Sequence, residues 1–209
     1  VSALDKITNI PVQGQLPDDF LPTAYLVAGD FAAQGSIMVE PASVGEGTKT
    51  AVRALLRWGG YKPSGRGRPA SESLAKALAE GRWPVIHPLV DECNRLSLNS
   101  GLPISVVDAG LLSPPLSFRI GQPGEEYAFN PSGQILDVKG LLLLADLQGP
   151  TGSPVKDAQR SKVSPETQEF LIVIWGTRAA LAAGSVVRQG LEDWCAQRQA
   201  TCRQVVVGL

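Results

Sequence analysis

Histidine is almost missing from this chain: His87 is the only one in 209 residues. The three cysteines, Cys93, Cys195 and Cys202, are odd in number and far apart. That set spells out no zinc spacing, no CxxC redox pair and no disulfide framework, so no metal or other cofactor is expected. A G-x-S-x-G elbow and a catalytic-cysteine signature are missing as well. His87 stands before Pro88 at the start of a predicted helix, where capping or packing outweighs a role as general base, because no sequence neighbour orients the ring. Long apolar runs are lacking too. Leu141–Ala145 and Phe170–Trp175 stop far short of the roughly 20 residues that a bilayer span needs, so no membrane partner is expected. Val1–Asp19 has neither the basic start nor the unbroken apolar stretch of a secretory signal, which makes the cytoplasm the expected compartment. Nor does one sign of charge dominate. With 19 basic against 20 acidic side chains, the chain is neither a polycation of the kind that coats DNA nor a disordered acidic solvator.

What is present is 44% hydrophobic residues punctuated by 22 glycines and 16 prolines, the composition of one compact domain or of two small ones sharing a core. Residues 1–49 read as a loose arm with short strands, at Thr23–Val27 and Ser36–Val39. A helical pattern opens at Thr48 and is stopped by Gly59-Gly60; a glycine- and proline-rich loop runs to Pro69. A second helix spans Ala70–Ala79, with Ser71 or a neighbour as N-cap and Gly81 as its stop. The best-patterned helix is Val85–Asn99, apolar at Ile86, Leu89, Val90, Cys93 and Leu96, polar at Asp91, Glu92, Asn94 and Arg95, and closed by Gly101. The period then changes to two, predicting strands at Ile104–Val107, Leu116–Ile120, Glu126–Phe129, Ile135–Val138 and Leu141–Ala145. Phe170–Trp175 reads as a strand buried on both faces, followed by a helix over Arg178–Gln199 and a strand at Gln204–Val207. The pattern predicts an α+β fold with helices packed on a mixed or antiparallel sheet.

The near-neutral total conceals a basic segment. Between residues 51 and 82, Arg53, Arg57, Lys62, Arg66, Arg68, Lys76 and Arg82 face only Glu72 and Glu80, a net +5. Trp58 and Tyr61 lie in the same stretch, and cations beside aromatics suit phosphate contact with base stacking. Arg53, Arg57, Lys62, Arg66 and Arg68 are the candidate RNA contacts; the alternative is a solvated pair of helix faces joined by a loop.

Three stretches, taken in order, resemble one family. Arg57–Asp108 carries V-D-x-x-N at Val90, Asp91 and Asn94, then a G-x-P turn at Gly101 and Pro103, then Asp108. Residues 133–150, GQILDVKGLLLLADLQGP, match a hairpin, and Ser161–Trp175 matches an S-x-V-x-x-x-T run leading into a buried strand. Together they resemble stand-alone relatives of the tRNA-editing (B3/B4) module of the phenylalanyl-tRNA synthetase beta subunit, over roughly residues 50–177. The resemblance implies an editing-domain-like fold over residues 50–209 and tRNA, at its 3′ acceptor end, as partner. In the synthetase that module hydrolyses tyrosine wrongly attached to the phenylalanine tRNA. The family's pocket histidine falls on Ser105 and its glutamate on Gln159, while its paired glycines fall on Asp157 and Ala158. Tyrosine specificity therefore does not carry over.

Two functions follow from these residues. The first is a trans-editing hydrolase that cleaves an aminoacyl-tRNA ester, with Asp157 orienting water and Arg160 holding phosphate or developing charge. Ser105, Asp108, Gln159, Ser161 and Thr167 are the expected ligand contacts, against the alternative that they cap turns and tie down loops. The second is a binding protein without catalysis, taking tRNA or a small amino-acid-like ligand.

Overall fold

In the computed structural model, which describes residues 2–31, 39 and 44–208, the elements run α1 (Ala3–Lys6), β1 (Asn9–Pro11), β2 (Thr23–Ala28), α2 (Glu46–Arg57), α3 (Ala70–Ala79), α4 (Pro88–Ser100) and β3 (Ile104–Asp108). They continue as β4 (Ser117–Ile120), β5 (Glu126–Ala128), β6 (Ile135–Asp137), β7 (Leu142–Asp146), β8 (Gly149–Gly152), β9 (Glu169–Ile174), α5 (Leu181–Gln197) and β10 (Thr201–Gly208). The main sheet has the order β1-β10-β2-β9-β3; β1 and β10 are parallel and the other pairs antiparallel. A three-stranded sheet, β4-β7-β8, and a β5-β6 hairpin complete the α+β fold.

The main sheet is sandwiched, and β9 shows why its sequence is apolar throughout. Phe170, Ile172 and Ile174 share a core with Leu89, Cys93 and Leu96 of α4 and Val187, Leu191 and Trp194 of α5. The intervening Leu171 and Val173, with Trp175, share a second core with Phe118, Leu142 and Leu144 of the small sheet. Period-two alternation thus feeds both cores. Truncating Ile172 to alanine would cost about 2–5 kcal/mol, since every methyl group it loses leaves a cavity.

Helix α4 forms where local chemistry allows it. His87 is extended (φ −158°) and its Nδ1 accepts the Leu89 N–H (3.3 Å); Pro88 is the first helical residue, and Gly101, at φ 79°, closes the helix by donating to the Ser97 carbonyl (2.9 Å). The predicted start at Val85 is corrected, because a residue before proline is driven out of the helical region. Val85 and Ile86 precede the helix, largely exposed, with the Ile86 N–H held by the Asp91 carboxylate (2.9 Å). Glu92, assigned to the polar face, is buried and makes a two-pronged bond to Arg95 (2.9 and 2.5 Å). In α3 it is Pro69 that occupies the N-cap position, while Ser71 is the second helical residue and is buried. Strand β8, Gly-Pro-Thr-Gly, has no alternation that could have announced it; it forms by folding back on β7. Of the strand expected at Ser36–Val39, residues 36–38 lie outside the described residues. Among the described residues no helix is long and apolar enough to cross a membrane.

Candidate functional site

A cleft of about 470 Å³ opens between α3, α4, β3 and the loop after β8. Its walls follow from helix and strand periods. Val90 and Asn94 are one turn apart on α4, Ile104 and Val106 alternate on β3, and Leu74 comes from α3. Phe129, Val155 and Val163 add apolar surface, and Lys156, Asp157 and Lys162 supply the charge. The loop bearing them is clamped: the Tyr127 hydroxyl donates to the Lys156 carbonyl (2.5 Å), and the Val155 and Lys156 N–H groups donate to Ser153 Oγ (both 3.3 Å).

Asp157 is the chemically unusual member. Its Oδ1 is buried without a hydrogen-bond partner. Burial pushes its carboxyl up to about 6, against the opposing pull of the Ser105 hydroxyl, the Lys162 ammonium and the Val106 and Ser153 N–H groups. Both lysines are shifted the other way. Burial lowers Lys156, helped by repulsion from Lys162 and Arg66; burial also lowers Lys162, opposed by Asp157. The Lys156 ammonium lies over the Phe129 ring, 4.5 Å from its centroid. One carboxylate and two half-buried ammonium groups in a cleft whose other walls are mostly apolar, with Ser73, Asn94 and Asn130 as neutral polar groups, can hold an anion and take up a proton within the same small volume. A smaller pocket of about 130 Å³ is bordered by Lys49 and Glu72, but those charges are spent on Glu46 and Arg53.

The sequence-derived residues separate into two groups. Ser105 is buried, accepts from the Trp175 indole N–H (2.9 Å) and adjoins Asp157. Arg160 is not in the cleft. Its guanidinium makes a two-pronged bond to Asp146 (2.7 and 3.1 Å) and donates to the Gly149 and Pro150 carbonyls (2.9 and 3.2 Å). Burial raises the Asp146 carboxyl, but the Arg160 bond and the Ser113 and Gln148 N–H groups outweigh it and hold it below the usual range. Arg160 is thus occupied, and the role of holding phosphate or developing charge is not one its geometry supports. Asp108 and Thr167 bond to each other (2.5 Å) and to the Gly110 and Ser164 N–H groups (2.8 and 3.0 Å), tying down a loop. Ser161 is buried and donates to the Thr151 carbonyl (2.9 Å). Gln159 Oε1 is buried without a partner, but its residue is outside the cleft lining.

The basic segment divides likewise. Arg53 grips Glu72 with two bonds (2.7 and 2.6 Å), and Arg68 donates to the Gly65 carbonyl (2.8 Å). Arg57, Lys62 and Arg66 are exposed and make no ion pair among the described residues. Lys156 and Lys162 were missed by sequence reasoning. The signal available was that they flank Asp157 within six residues, but nothing local says that a lysine is half-buried.

The sequence profile of the B3/4 domain matches residues 64–201. This chain belongs to the B3/4 domain family. The matched B3/4 region contains α3, α4, the whole cleft wall and the Asp157 loop. Among solved structures the chain is similar to an N-terminal fragment of the phenylalanyl-tRNA synthetase beta-subunit from Pyrococcus horikoshii, with a TM-score of 0.57 at 14% identity over 97% of its length. It spans 52% of that fragment, about half its length. The likeness is one of fold, the editing-domain-like α+β architecture that the resemblance implied. No curated protein matches this B3/4 chain.

Proposed function

We propose that the cleft receives the aminoacylated 3′ end of a tRNA and hydrolyses the ester linking amino acid to ribose. The observation that carries this reading is Asp157: a buried carboxyl pushed up to about 6, with Oδ1 unpartnered, facing Lys162 in a cleft that an amino-acid side chain can enter. The ester is already activated, so the protein has to place water and stabilise an oxyanion rather than supply a strong nucleophile. At neutral pH Asp157 is mostly ionised and basic enough to take a proton from attacking water. Lys162 stands ready for the charge that develops on the carbonyl oxygen. Lys156, with Arg66 beside it, suits the last phosphate, and Arg57 and Lys62 suit the strand leading to it. Membership of the B3/4 family and the synthetase-like fold favour tRNA over other esters.

The test is a panel of mischarged tRNAs, with deacylation followed against the no-protein rate. At least one should be deacylated faster, with a rate that rises through about pH 6 and collapses in Asp157→Asn. Activity unchanged in that variant would remove Asp157 from the chemistry. A second reading, binding without turnover, is supported by the resemblance to the synthetase's editing module, which places Ser105 and Gln159 where that module has its pocket histidine and glutamate. It predicts saturable binding of an aminoacyl ester or amino acid, lost in Lys162→Met, with no deacylation of any substrate in the panel.

A further inference from the structure

Ser105 has one hydroxyl proton and three neighbours around its oxygen. The Trp175 indole N–H donates to it over 2.9 Å, and an indole nitrogen only donates, so one lone pair is committed. The proton points to the Ser153 carbonyl over 3.3 Å, beyond the usual range for an O–H donor and therefore a weak bond. Asp157 is the third neighbour. A Cβ placed on Gly152 would stand 2.6 Å from Asp157 Oδ1 and 3.5 Å from Ser105 Oγ, so both oxygens crowd the same backbone position. The indole cannot swing away, because Trp175 is fully buried against Phe20 and Phe118, with ring centroids 6.2 and 5.6 Å from its own. Ser105 is 2% exposed, which leaves little room for water to replace any of these partners.

We propose that Ser105 is a positioning residue whose hydroxyl, steered by Trp175, turns from the Ser153 carbonyl to the Asp157 carboxylate when Asp157 loses its proton. The inference rests on the reading of Asp157 as the reacting group. A neutral carboxyl carries its own O–H and gains little from another donor; a buried carboxylate is costly without one. No covalent bond to Ser105 breaks: the hydroxyl rotates, and the proton that Asp157 gives up leaves through the cleft. Turning the hydroxyl moves the cost of ionisation onto a weak bond to Ser153, which is easily given up. The other groups that bear on Asp157 are Lys162, which favours its charge, and the Tyr127 hydroxyl, with Lys156 next in the chain and Arg66 beside Lys156.

Carbon-13 NMR of the Asp157 carboxyl, titrated in the free protein, tests this without substrate. Ser105→Ala should raise the midpoint by about one to two pH units, the shift expected when a carboxylate loses one hydrogen bond of its charged form. Ser105→Thr, which keeps a hydroxyl, should restore it. Trp175→Phe should raise it by less, since the hydroxyl remains but is no longer steered. Should Ser105→Ala not fold, Ser105→Cys, a much weaker donor, should give the same upward shift. Lys162→Met should add its own rise equally in both backgrounds. A midpoint that stays in place or falls in Ser105→Ala overturns the role of Ser105, even if hydrolysis proves to depend on Asp157. A raised midpoint upholds it, even if no mischarged tRNA is deacylated and the hydrolase reading fails.

Discussion

Asparagine in place of Asp157 should make the protein more stable at neutral pH while removing the group proposed to activate water. The carboxyl sits at about 6 in the folded protein against an ordinary aspartate value of 3.8. At 1.36 kcal/mol per pH unit, that difference sets a ceiling of about 3 kcal/mol on the penalty for keeping this carboxylate folded. The sign follows from which state gives up its proton first. Well below the unfolded value the group is neutral in both states and costs nothing. As pH rises, the unfolded chain ionises first, and stability drains away until the folded group has titrated near 6. Asparagine carries no charge and so escapes the penalty, in which the pull of Lys162 is already included; because packing covers the residue only in part, solvent screening brings the expected gain to about 2 kcal/mol. For a chain of this length that corresponds to a rise in Tm of about 4–8 °C. Urea unfolding of wild type and variant at about pH 7.5 and about pH 4 reads the difference. The gap should be present at the higher pH and nearly vanish at the lower. A variant less stable at neutral pH, or a gap of equal size at both, would refute the account of Asp157 as a carboxylate held charged against its surroundings.

Gly152→Ala would place a methyl group 2.6 Å from Asp157 Oδ1; we expect an intact fold by circular dichroism with deacylation reduced at least tenfold, and undiminished activity would show that Asp157 need not stay where it is. Arg160→Ala should cost about 3–5 kcal/mol in urea unfolding, because it leaves the fully buried Asp146 carboxylate unpaired. A loss under about 1 kcal/mol would mean that the pair behaves as a surface one. If Arg57, Lys62 and Arg66 each neutralise one phosphate, affinity for tRNA should fall roughly twentyfold between about 50 and about 200 mM salt, on a slope near −0.7 per contact. Arg57→Ala or Lys62→Ala should lessen that slope, whereas Arg53→Ala, whose guanidinium is occupied by Glu72, should leave it unchanged.

Much of this fold is legible in the chain because the deciding forces act within a few residues. His87, Pro88 and Gly101 set the ends of α4 through a side-chain cap, a fixed φ and a left-handed turn, all local chemistry. The run Phe170–Trp175 announces a strand buried on both faces, since alternation cannot be read where both faces are apolar. Family resemblance and the basic segment are legible for the same reason, being properties of residue order. Tertiary structure decided what those charges can do. Arg53 meets Glu72 across two helices, and Arg160 meets Asp146 across a turn and a strand, so two cations that looked free in sequence are occupied. Asp157, Lys156 and Lys162 acquire their shifted protonation only because packing removes water around them, and desolvation depends on every element that closes over a site. Sequence order determined the ends of α4 and the doubly buried β9, whose signals are local; the distant contacts that bury one carboxylate and pair another determined which charged groups stay available.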